Sequence, residues 1–444
     1  MDSKGPAEAG QPSGAGPGGA AGPGTVPAPL PGFSITRLPR ILFGGGTSGQ
    51  LGSVVREFGR SALVVVRDPG FTESSDWVRL LAALEGAGVE VALETVSGEP
   101  SPGLVDEIVA RHRGSGSGSG LGRPAPIEVV VGIGGGSVLD TAKAAAGLLI
   151  PGNSVMDHLE GIGPELPYRG PSVPFIAVPT TAGTGSEATK NAVLSRRGAG
   201  GFKKSFRDEA LVARVAILDP DLLAACPREL IAGNGMDALS QLLESYVSIK
   251  ASPFTDALAL SGLGCVRDGL QAWFEEAAAG RGAAGPGSVA AAARERMAYA
   301  ALCSGICLAQ AGLGSVHGLA SPLGAQFPIP HGVACGAVLV AATRVNIAAL
   351  EARDPENRAL SRYGVAGWMF SGRAGGDDDR EARGALVPAL EELTARLGVK
   401  RLSAFGITES SIPALVADSR GSSMKTNPIV LTDDEIASIL RASL

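Results

Sequence analysis

The sequence has few aromatic residues, few histidines and no excess of positive charge. Aromatic side chains make up only 4 % of the 444 residues, so the cores of a chain that is 45 % hydrophobic must be built from Ala, Val, Leu and Ile. The formal net charge of −6 argues against nucleic acids and anionic membranes as main partners. A chain of this length is expected to form more than one domain.

The five cysteines, Cys226, Cys265, Cys303, Cys307 and Cys335, are odd in number and lie in apolar surroundings. This pattern favours buried thiols in a reducing compartment over disulfides, so we expect a cytoplasmic protein. Cys303 and Cys307 have a CxxxC spacing, but no second Cys/His pair with zinc spacing accompanies them. We therefore interpret Cys303 and Cys307 as core-packing thiols and not as a metal pair.

The N-terminal segment 1–31 is rich in Gly, Pro and Ala and contains almost no large apolar residue. It cannot bury enough surface to offset the entropy of ordering, so we predict a disordered tail. It also lacks the basic and apolar regions of a signal peptide. The most apolar later stretch, AALCSGICLAQAGL (300–313), is short for a membrane span and predicts a buried helix.

Predicted strands and helices alternate from residue 32 to residue 220. Strands are expected at 62–66, at 89–96 and at the starts of 127–149 and 173–187, with helices at 76–88 and 103–113. This succession predicts a parallel sheet with helices on both faces. From Pro227 onward the pattern is almost wholly helical. We therefore predict an α/β domain over 32–220 and an all-α domain over 221–444, with the boundary near Pro220.

The stretch GIGGGSVLD (132–140) joins a buried strand to a helix through Gly134, Gly135, Gly136 and Ser137. Glycines at such a place let backbone N–H groups approach phosphate oxygens, and the helix N-terminus adds partial positive charge. The pattern is neither GxGxxG nor the Walker motif. The alternative interpretation is a tight turn without a ligand.

The stretch PTTAGTGSE (179–187) places the hydroxyls of Thr180, Thr181, Thr184 and Ser186 at the exit of the next strand. Open α/β sheets bind ligands at strand exits, where hydroxyls can bond a nucleotide's ribose and phosphates. An ordinary polar loop is the alternative. Two such loops at the carboxyl ends of parallel strands together favour a nucleotide cleft.

Four residues in the second half have the chemistry of metal ligands. His317 and His331 lie within SVHGLASPLGAQFPIPHG (315–332), and Asp237 and Gln241 stand four residues apart in MDALSQLLESY (236–246). In a helix this spacing puts Asp237 and Gln241 on one face. Asp and two His make a plausible metal site. Gln241 is a neutral and weaker ligand, which leaves open whether the site is retained.

The motifs GGGSVLDTAKA, PTTAGTGSE, DPDL, GMDAL and HGLASPLGAQFPIPHG occur in an order that resembles the iron-containing alcohol dehydrogenase family, also called group III metal-dependent alcohol dehydrogenases. The resemblance runs from about Ile35 to the C-terminus. It implies a Rossmann-like nicotinamide-binding α/β domain followed by an all-α domain that holds a divalent metal, Fe²⁺ or Zn²⁺. This is the dehydroquinate-synthase-like architecture, with the active site in the cleft between the domains.

The resemblance also assigns roles to single residues. The metal ligands fall on Asp237, His317 and His331, with Gln241 where a His is usual, and Ser321 replaces a further active-site His. The cofactor contacts fall on the glycine turn (Gly134, Gly135, Gly136, Ser137), Asp140, Thr180, Thr181, Thr184 and either Lys203 or Lys204, the lysine near the nicotinamide ribose. The substrate pocket falls on Asn191, Leu308, Leu313 and Ser321.

We expect reversible hydride transfer between NAD(P)H and a small aldehyde or ketone, with the metal as Lewis acid. Asp68 follows the strand 62–66, where a carboxylate bonds the adenosine ribose and repels a 2′-phosphate, so NAD is expected over NADP. We also expect a homodimer. The alternatives are a metal-independent reductase of the maleylacetate-reductase type, in which Gln241 only hydrogen-bonds, a cyclase-type carbon–oxygen lyase, and a non-catalytic nucleotide-binding protein.

Lysines near the expected cleft suggest the charge of the substrate. We interpret FKKSFR (202–207) as a turn that brings Lys203, Lys204 and Arg207 together, and Lys190 and Lys425 lie close to pocket positions. Cations clustered in a chain of negative net charge indicate a positive entrance. We predict an aldehyde that bears a carboxylate, phosphate or phosphonate, held by Lys190 and Lys425.

Overall fold

Helices and strands alternate in the first half of the chain, and the second half is helical. The structure, a computed structural model, describes residues 30–67, 70–113, 126–196, 201–372 and 378–444. All but the last two residues of the predicted tail (1–31) lie outside the described residues, and so does Asp68.

The described residues form eight strands and thirteen α-helices. The strands are β1 (Arg40–Phe43), β2 (Ser61–Arg67), β3 (Glu90–Val96), β4 (Val129–Gly134), β5 (Phe175–Pro179), β6 (Asn191–Arg196), β7 (Phe202–Arg207) and β8 (Val215–Leu218). The helices are α1 (Leu51–Arg56), α2 (Ser75–Gly86), α3 (Pro102–His112), α4 (Gly136–Leu148), α5 (Arg228–Val247), α6 (Pro253–Ala278), α7 (Val289–Ala311), α8 (Ser315–Gln326), α9 (His331–Arg353), α10 (Arg358–Ser371), α11 (Asp379–Arg396), α12 (Ile412–Asp418) and α13 (Asp433–Ser443).

Six strands form one parallel sheet in the order β1-β8-β5-β4-β2-β3. The chain first places β3 on one side of β2 and then returns to place β4 on the other side. This reversal is a topological switch point, and open α/β sheets bind ligands in the crevice at the carboxyl ends of the strands there. The predicted α/β fold with a parallel sheet is confirmed.

The alternation of side chains along β2 explains why helices cover both faces of the sheet. Leu63 and Val65 pack into a core with residues of α3 and α4. Val64 and Val66 pack into a separate core with residues of α1 and α2. Because successive strand residues point to opposite faces, an apolar run along a parallel strand requires cover on both sides.

Residues 202–207 form a strand, so the predicted turn is wrong. β7 pairs with β6 in an antiparallel hairpin that puts Ser195 opposite Lys203. Phe202 and Phe206 bury one face of β7 in the core beside α4. Two adjacent lysines hide the apolar alternation in the sequence. In a strand they lie on opposite faces, so Lys203 and Lys204 do not form one patch.

The described residues from Arg228 onward form nine helices, α5 to α13, around one main hydrophobic core. The predicted buried helix at 300–313 corresponds largely to the end of α7. Helix α9 packs against α5, α8, α11 and α13. By length and composition α9 could cross a membrane, but 61 % of its most apolar window is buried within the protein.

Candidate active site

The carboxyl ends of β2, β4 and β5 meet at one edge of the sheet, beside the switch point. β4 pairs with both β2 and β5, so the loops that follow these strands are neighbours. The N–H of Thr180 donates to the carbonyl oxygen of Gly134 (3.0 Å), which ties the threonine loop (179–187) to the glycine turn (134–137). The two loops selected from the sequence therefore form one surface.

The glycine turn fits closely against the threonine loop. A Cβ at Gly136 would lie 2.8 Å from Thr184 Cγ2, and one at Gly135 would lie 3.1 Å from Thr181 Oγ1, so larger residues would push the threonines away. Among the described residues no side chain caps the start of α4, which leaves its first N–H groups to a phosphate. The turn residues 135–137 are only half-buried, so a ligand can reach them.

Two buried charged residues on α4, Asp140 and Lys143, hydrogen-bond to the threonine loop and to β6. The buried Lys143 Nζ donates to the carbonyl oxygens of Ser186 (2.8 Å) and Asn191 (2.7 Å). Asp140 accepts hydrogen bonds from Ser186 Oγ (2.6 Å) and from the N–H of Val193 (3.1 Å). Burial raises the pKa of Asp140 and lowers that of Lys143, although each charge favours the other. Asp140 therefore anchors the threonine loop and β6, and its contact with a cofactor stays a prediction.

Three of the predicted metal ligands converge in the helical domain. Asp237 lies on α5, His317 on α8 and His331 at the first residue of α9. Asp237 Oδ1 lies 3.1 Å from His317 Nε2 and 3.8 Å from His331 Nε2. Asp237 and His317 are buried, whereas the His331 side chain keeps 27 % of its surface exposed. A small molecule from the solvent can therefore approach the cluster from the side of His331.

Close packing of the helices brings these residues together. Gly332 lies so near α5 that a Cβ on it would meet the carbonyl oxygen of Gly233 at 2.2 Å, so only glycine lets His331 approach Asp237. The chain bends by 101° between α7 and α8. This bend directs the start of α8, and with it His317, across α5.

Glu244 orients His317, a role that sequence inspection missed. Glu244 Oε2 lies 2.6 Å from His317 Nδ1, and Oε1 accepts a hydrogen bond from the N–H of Val316 at 2.6 Å. With the Nδ1 proton held by Glu244, Nε2 is the atom that faces Asp237, and it can bind a metal that replaces its own proton. Glu244 could have been found from its spacing in the sequence. Together with Asp237 and Gln241 it follows the pattern i, i+4 and i+7, which places all three on one face of α5.

Gln241 reaches the cluster without offering it an oxygen. Its Oε1 accepts a hydrogen bond from Ser304 Oγ on α7 (2.7 Å). Its amide group hydrogen-bonds to Asp237 and helps to lower the pKa of that carboxyl group. In this orientation the NH₂ group, which is not a metal ligand, faces the site.

Cys335 is a buried free thiol, as predicted, and its sulfur also lies beside the three predicted ligands. Its Sγ lies 3.6 Å from Asp237 Oδ1, 3.7 Å from His317 Nε2 and 3.9 Å from His331 Nε2. The signal was HGVAC, which puts Cys335 one helical turn after His331. The other four cysteines are free thiols and lie outside this cluster.

Burial and opposite charges compete at the cluster. Burial raises the pKa of Asp237, but His331, His317 and Gln241 outweigh it and hold that pKa below the ordinary value. Burial also lowers the pKa of His317, yet Cys335, Asp237 and the other acceptors raise it well above the ordinary value. The pKa of His331 falls to about 4 through burial and the charge of Lys203. Burial raises the pKa of the Cys335 thiol to about 11.

The donor atoms of Asp237, His317, His331 and Cys335 all lie within 4.8 Å of one another. Carboxylate oxygen, imidazole nitrogen and cysteine sulfur are the atoms that bind zinc and related divalent ions in proteins. His317 also has the carboxylate partner that accompanies metal-ligating histidines. The residues present therefore fit a divalent transition-metal ion.

The β6–β7 hairpin brings one of the two candidate lysines to the metal side. The carbonyl oxygen of Lys203 accepts a weak hydrogen bond from Ser321 Oγ on α8 (3.5 Å), and Lys203 Nζ lies 3.2 Å from Glu99 Oε2. Its charge also reaches His331, whose pKa it lowers. Lys204 lies on the opposite face, beside Gly161. Of the two lysines, Lys203 therefore lies on the metal side, and its contact with a ligand stays a prediction.

The other predicted pocket residues lie on β6, on α7, in the bend before α8 and on a one-turn helix near the C-terminus. Lys190 and Asn191 stand at the start of β6, Leu308 lies in the last turn of α7 and Leu313 in the bend before α8, and all four are half-buried. Lys425 is exposed on a one-turn helix, Met424–Thr426, that is tied to the bend because Thr426 Oγ1 donates to the carbonyl oxygen of Leu313. Their contacts with a substrate stay predictions.

Comparison with protein families and known proteins agrees with both halves of the site. The family model described as iron-containing alcohol dehydrogenase matches residues 39–220, and its C-terminal counterpart matches residues 231–444. The long-chain-alcohol dehydrogenase 1 of Geobacillus thermodenitrificans is 32 % identical over 406 residues, which cover 90 % of this chain and 94 % of that protein. Alcohol dehydrogenase 4 of Schizosaccharomyces pombe is 30 % identical over 409 residues, 91 % of this chain and 87 % of that protein.

Solved structures share the whole two-part architecture. The sulfoacetaldehyde reductase of Bifidobacterium kashiwanohense, determined in complex with NAD+, is 28 % identical with a TM-score of 0.76. The alignment covers 93 % of this chain and 98 % of that one.

Proposed function

The chain belongs to the iron-containing alcohol dehydrogenase family, and from this premise we propose that it reduces a small anionic aldehyde to the corresponding alcohol. It is an NAD-dependent oxidoreductase of alcohols and aldehydes with a divalent metal as second cofactor, as the family and its relatives indicate. The choice of substrate is the part that we propose.

In this reaction the α/β domain binds the nicotinamide cofactor and the helical domain binds the cation. A bound nicotinamide supplies the hydride, and a bound divalent cation supplies Lewis acidity toward the substrate oxygen. The glycine turn and the threonine loop are placed to hold the cofactor's phosphates and ribose. Asp237, His317 and His331 are placed to hold the cation, and Glu244 fixes the tautomer of His317. Ser321 has no useful acidity near neutral pH, so it does not supply the alcohol proton.

The observation that carries the proposal is the position of Lys203 between the domains. The ammonium group of Lys203 lies close enough to His331 to lower the pKa of that imidazole. An ion pair with Glu99 offsets part of the lysine's positive charge. Lys190 directly precedes β6 and is half-buried, Lys425 is exposed on the one-turn helix Met424–Thr426, and we propose that both face the same ligand. A cationic entrance raises the local concentration of anionic substrates. The structural relative named as a sulfoacetaldehyde reductase acts on an aldehyde that carries a sulfonate, which supports the same substrate class here.

A direct comparison of two aldehydes tests the proposal. We would measure kcat/KM, from the loss of NADH absorbance, for butanal and for its ω-carboxylated analogue of equal chain length. The wild-type enzyme is expected to favour the carboxylated aldehyde by about tenfold or more. Lys190→Ala and Lys425→Ala should narrow that preference, and Lys400→Ala, at an exposed position after α11, is the matched control. An equal or better rate with butanal, unchanged by both variants, would reject the proposal.

One observation supports the metal-independent alternative. Gln241 hydrogen-bonds to Ser304 and Asp237, as expected if that residue has no role as a ligand. The four converging donor atoms favour the metal-dependent enzyme instead, because they are of the kinds that divalent transition-metal ions bind and all lie within 4.8 Å of one another. Elemental analysis of active protein decides between them. Full activity in metal-free protein would establish the metal-independent reductase.

The assembly and location of the enzyme also remain proposals. We propose a homodimer in the cytoplasm, and the five free thiols support a reducing compartment. Light scattering coupled to size exclusion should give about twice the chain mass of 44.6 kDa. A monomer or a larger assembly would contradict the dimer.

A further inference from the structure

The position of Gln241 leaves the metal site one ligand short of the usual set. Its Oε1 is already bonded to Ser304 Oγ at 2.7 Å, and its NH₂ group faces Asp237. Gln241 could coordinate a cation only if its amide turned over, so that its NH₂ group donated to Ser304 Oγ and its Oε1 faced Asp237. Cys335 Sγ already stands beside the other donor atoms, at 3.6 Å from Asp237 Oδ1.

We propose that Cys335, and not Gln241, is the fourth protein ligand, so that this chain holds its ion through an Asp237–His317–His331–Cys335 set. The inference rests on the proposed function only in requiring that the cluster binds a divalent ion. It assigns to Cys335 a role that the family pattern does not indicate.

The distances between donor atoms support this assignment. Metal bonds of about 2.0 Å to oxygen and nitrogen and about 2.3 Å to sulfur give a tetrahedron with edges of about 3.3 to 3.6 Å. Cys335 Sγ lies 3.6, 3.7 and 3.9 Å from the donor atoms of Asp237, His317 and His331. The other two measured edges, from Asp237 Oδ1 to His317 and His331, are 3.1 and 3.8 Å. Small side-chain adjustments therefore suffice to place all four atoms around one ion.

The charge balance of the site also favours Cys335. With Gln241 as ligand, a buried divalent cation would face one formal negative charge among its four ligands, that of Asp237. Coordination by Cys335 releases the thiol proton and adds a second negative charge, which neutralises the ion. Two negatively charged ligands match the two positive charges of the ion, which lowers the cost of burying it.

A sulfur ligand changes which ions the site selects. Thiolate is a soft ligand that favours Zn²⁺ and Co²⁺ over hard ions bound through oxygen, such as Mg²⁺. It also donates more electron density than an imidazole or an amide and so reduces the Lewis acidity of the ion. We therefore expect this enzyme to bind zinc-like ions tightly while polarising its substrate less strongly than relatives with a third histidine.

The experiment is a spectroscopic titration of metal-stripped, reduced enzyme with Co²⁺, which needs no catalytic readout. Bonding between thiolate and Co²⁺ gives an intense near-ultraviolet charge-transfer band, whereas oxygen and nitrogen ligands do not. Wild-type protein and Gln241→Ala are expected to show this band at one Co²⁺ per chain. Cys335→Ser should lose the band and bind Zn²⁺ at least about tenfold more weakly. Cys303→Ser, at another buried thiol on a neighbouring helix, is the matched control and should keep the band.

The outcomes separate this inference from the proposed function. Two results would overturn the role of Cys335 and leave the metal-dependent function standing. One is stoichiometric Co²⁺ binding by the wild-type protein without the charge-transfer band. The other is a charge-transfer band that persists in folded Cys335→Ser. A wild-type protein that binds neither Co²⁺ nor Zn²⁺ would overturn both. If Cys335→Ser does not fold, the wild-type spectrum together with protection of one thiol from iodoacetamide by Zn²⁺ decides the question.

Discussion

Ser304 Oγ donates a 2.7 Å hydrogen bond to Gln241 Oε1 and so joins the glutamine amide to the neighbouring helix. The two residues lie on α7 and α5, and both are buried. At this place the family usually has a histidine that binds the metal, whereas in this chain Gln241 makes a hydrogen bond to a neighbouring helix. Changes at Gln241 and at its neighbours should reveal how the metal site has been rearranged.

The first prediction concerns Gln241→His. An imidazole suits zinc-like ions better than an amide oxygen, so this variant should bind Zn²⁺ about tenfold more tightly than wild type in competition with a chelator. In a Cys335→Ser background the same change should restore the affinity that the cysteine substitution removes. The loss of the bond from Ser304 should cost about 1 kcal/mol of stability. An unchanged or lower affinity in folded Gln241→His would contradict the prediction.

The second prediction concerns Glu244, which acts through His317 and is a positioning residue. In Glu244→Gln the new Oε1 can still accept from the N–H of Val316, but the amide NH₂ cannot accept from His317 Nδ1–H. Zn²⁺ affinity should fall about 10- to 100-fold, because the imidazole loses the partner that fixes its tautomer. KM for NADH should not change. Glu229→Gln, at an exposed position in the first turn of the same helix, should leave the Zn²⁺ affinity unaffected.

The third prediction uses the buried Glu187 of the threonine loop. Burial raises its pKa from an ordinary 4.5 to about 7, despite lowering effects from a backbone hydrogen bond and Lys143. Because the folded-state pKa is the higher one, folding is not penalised at low pH, and stability falls as pH rises from about 4.5 to about 7. Above that range the penalty is constant at roughly 3 kcal/mol.

Glu187→Gln removes this penalty. Urea unfolding should show the variant more stable than wild type by up to roughly 3 kcal/mol at pH 8, with almost no difference near pH 4.5. A stability difference that does not depend on pH would show that Glu187 does not titrate in this range.

Much of this fold and site follows from local sequence patterns. The parallel sheet is predictable because β2, β4 and β5 are continuous apolar runs followed by glycine or polar turns. Asp237, His317 and His331 can be found because Asp and His are rare in apolar helices and glycines adjoin both histidines.

The remaining features depend on contacts that sequence patterns do not reveal. Cys335 stands in HGVACGAVLV, where an isolated cysteine is indistinguishable from a packing residue until α5 and α8 are placed beside it. The strand β7 was missed because Lys203 and Lys204 adjoin, and burial of Phe202 and Phe206 against the α/β core determines its conformation. Which lysine faces the cleft follows only from that strand geometry.

The fourth prediction concerns the choice between NADH and NADPH. β2 ends at Arg67 beside the switch point, and Asp68, outside the described residues, follows it directly in the sequence. A carboxylate there bonds the adenosine ribose and repels a 2′-phosphate, so kcat/KM should favour NADH by about tenfold or more. Asp68→Gly should narrow the ratio, chiefly by improving the use of NADPH, because the repulsion is removed while Arg67 remains. Arg67→Ala, the opposite charge change at the adjacent position, should widen the ratio, since it removes a cation that partly offsets the repulsion. A clear NADPH preference in wild type, or a ratio that neither substitution changes, would show that another segment determines cofactor choice.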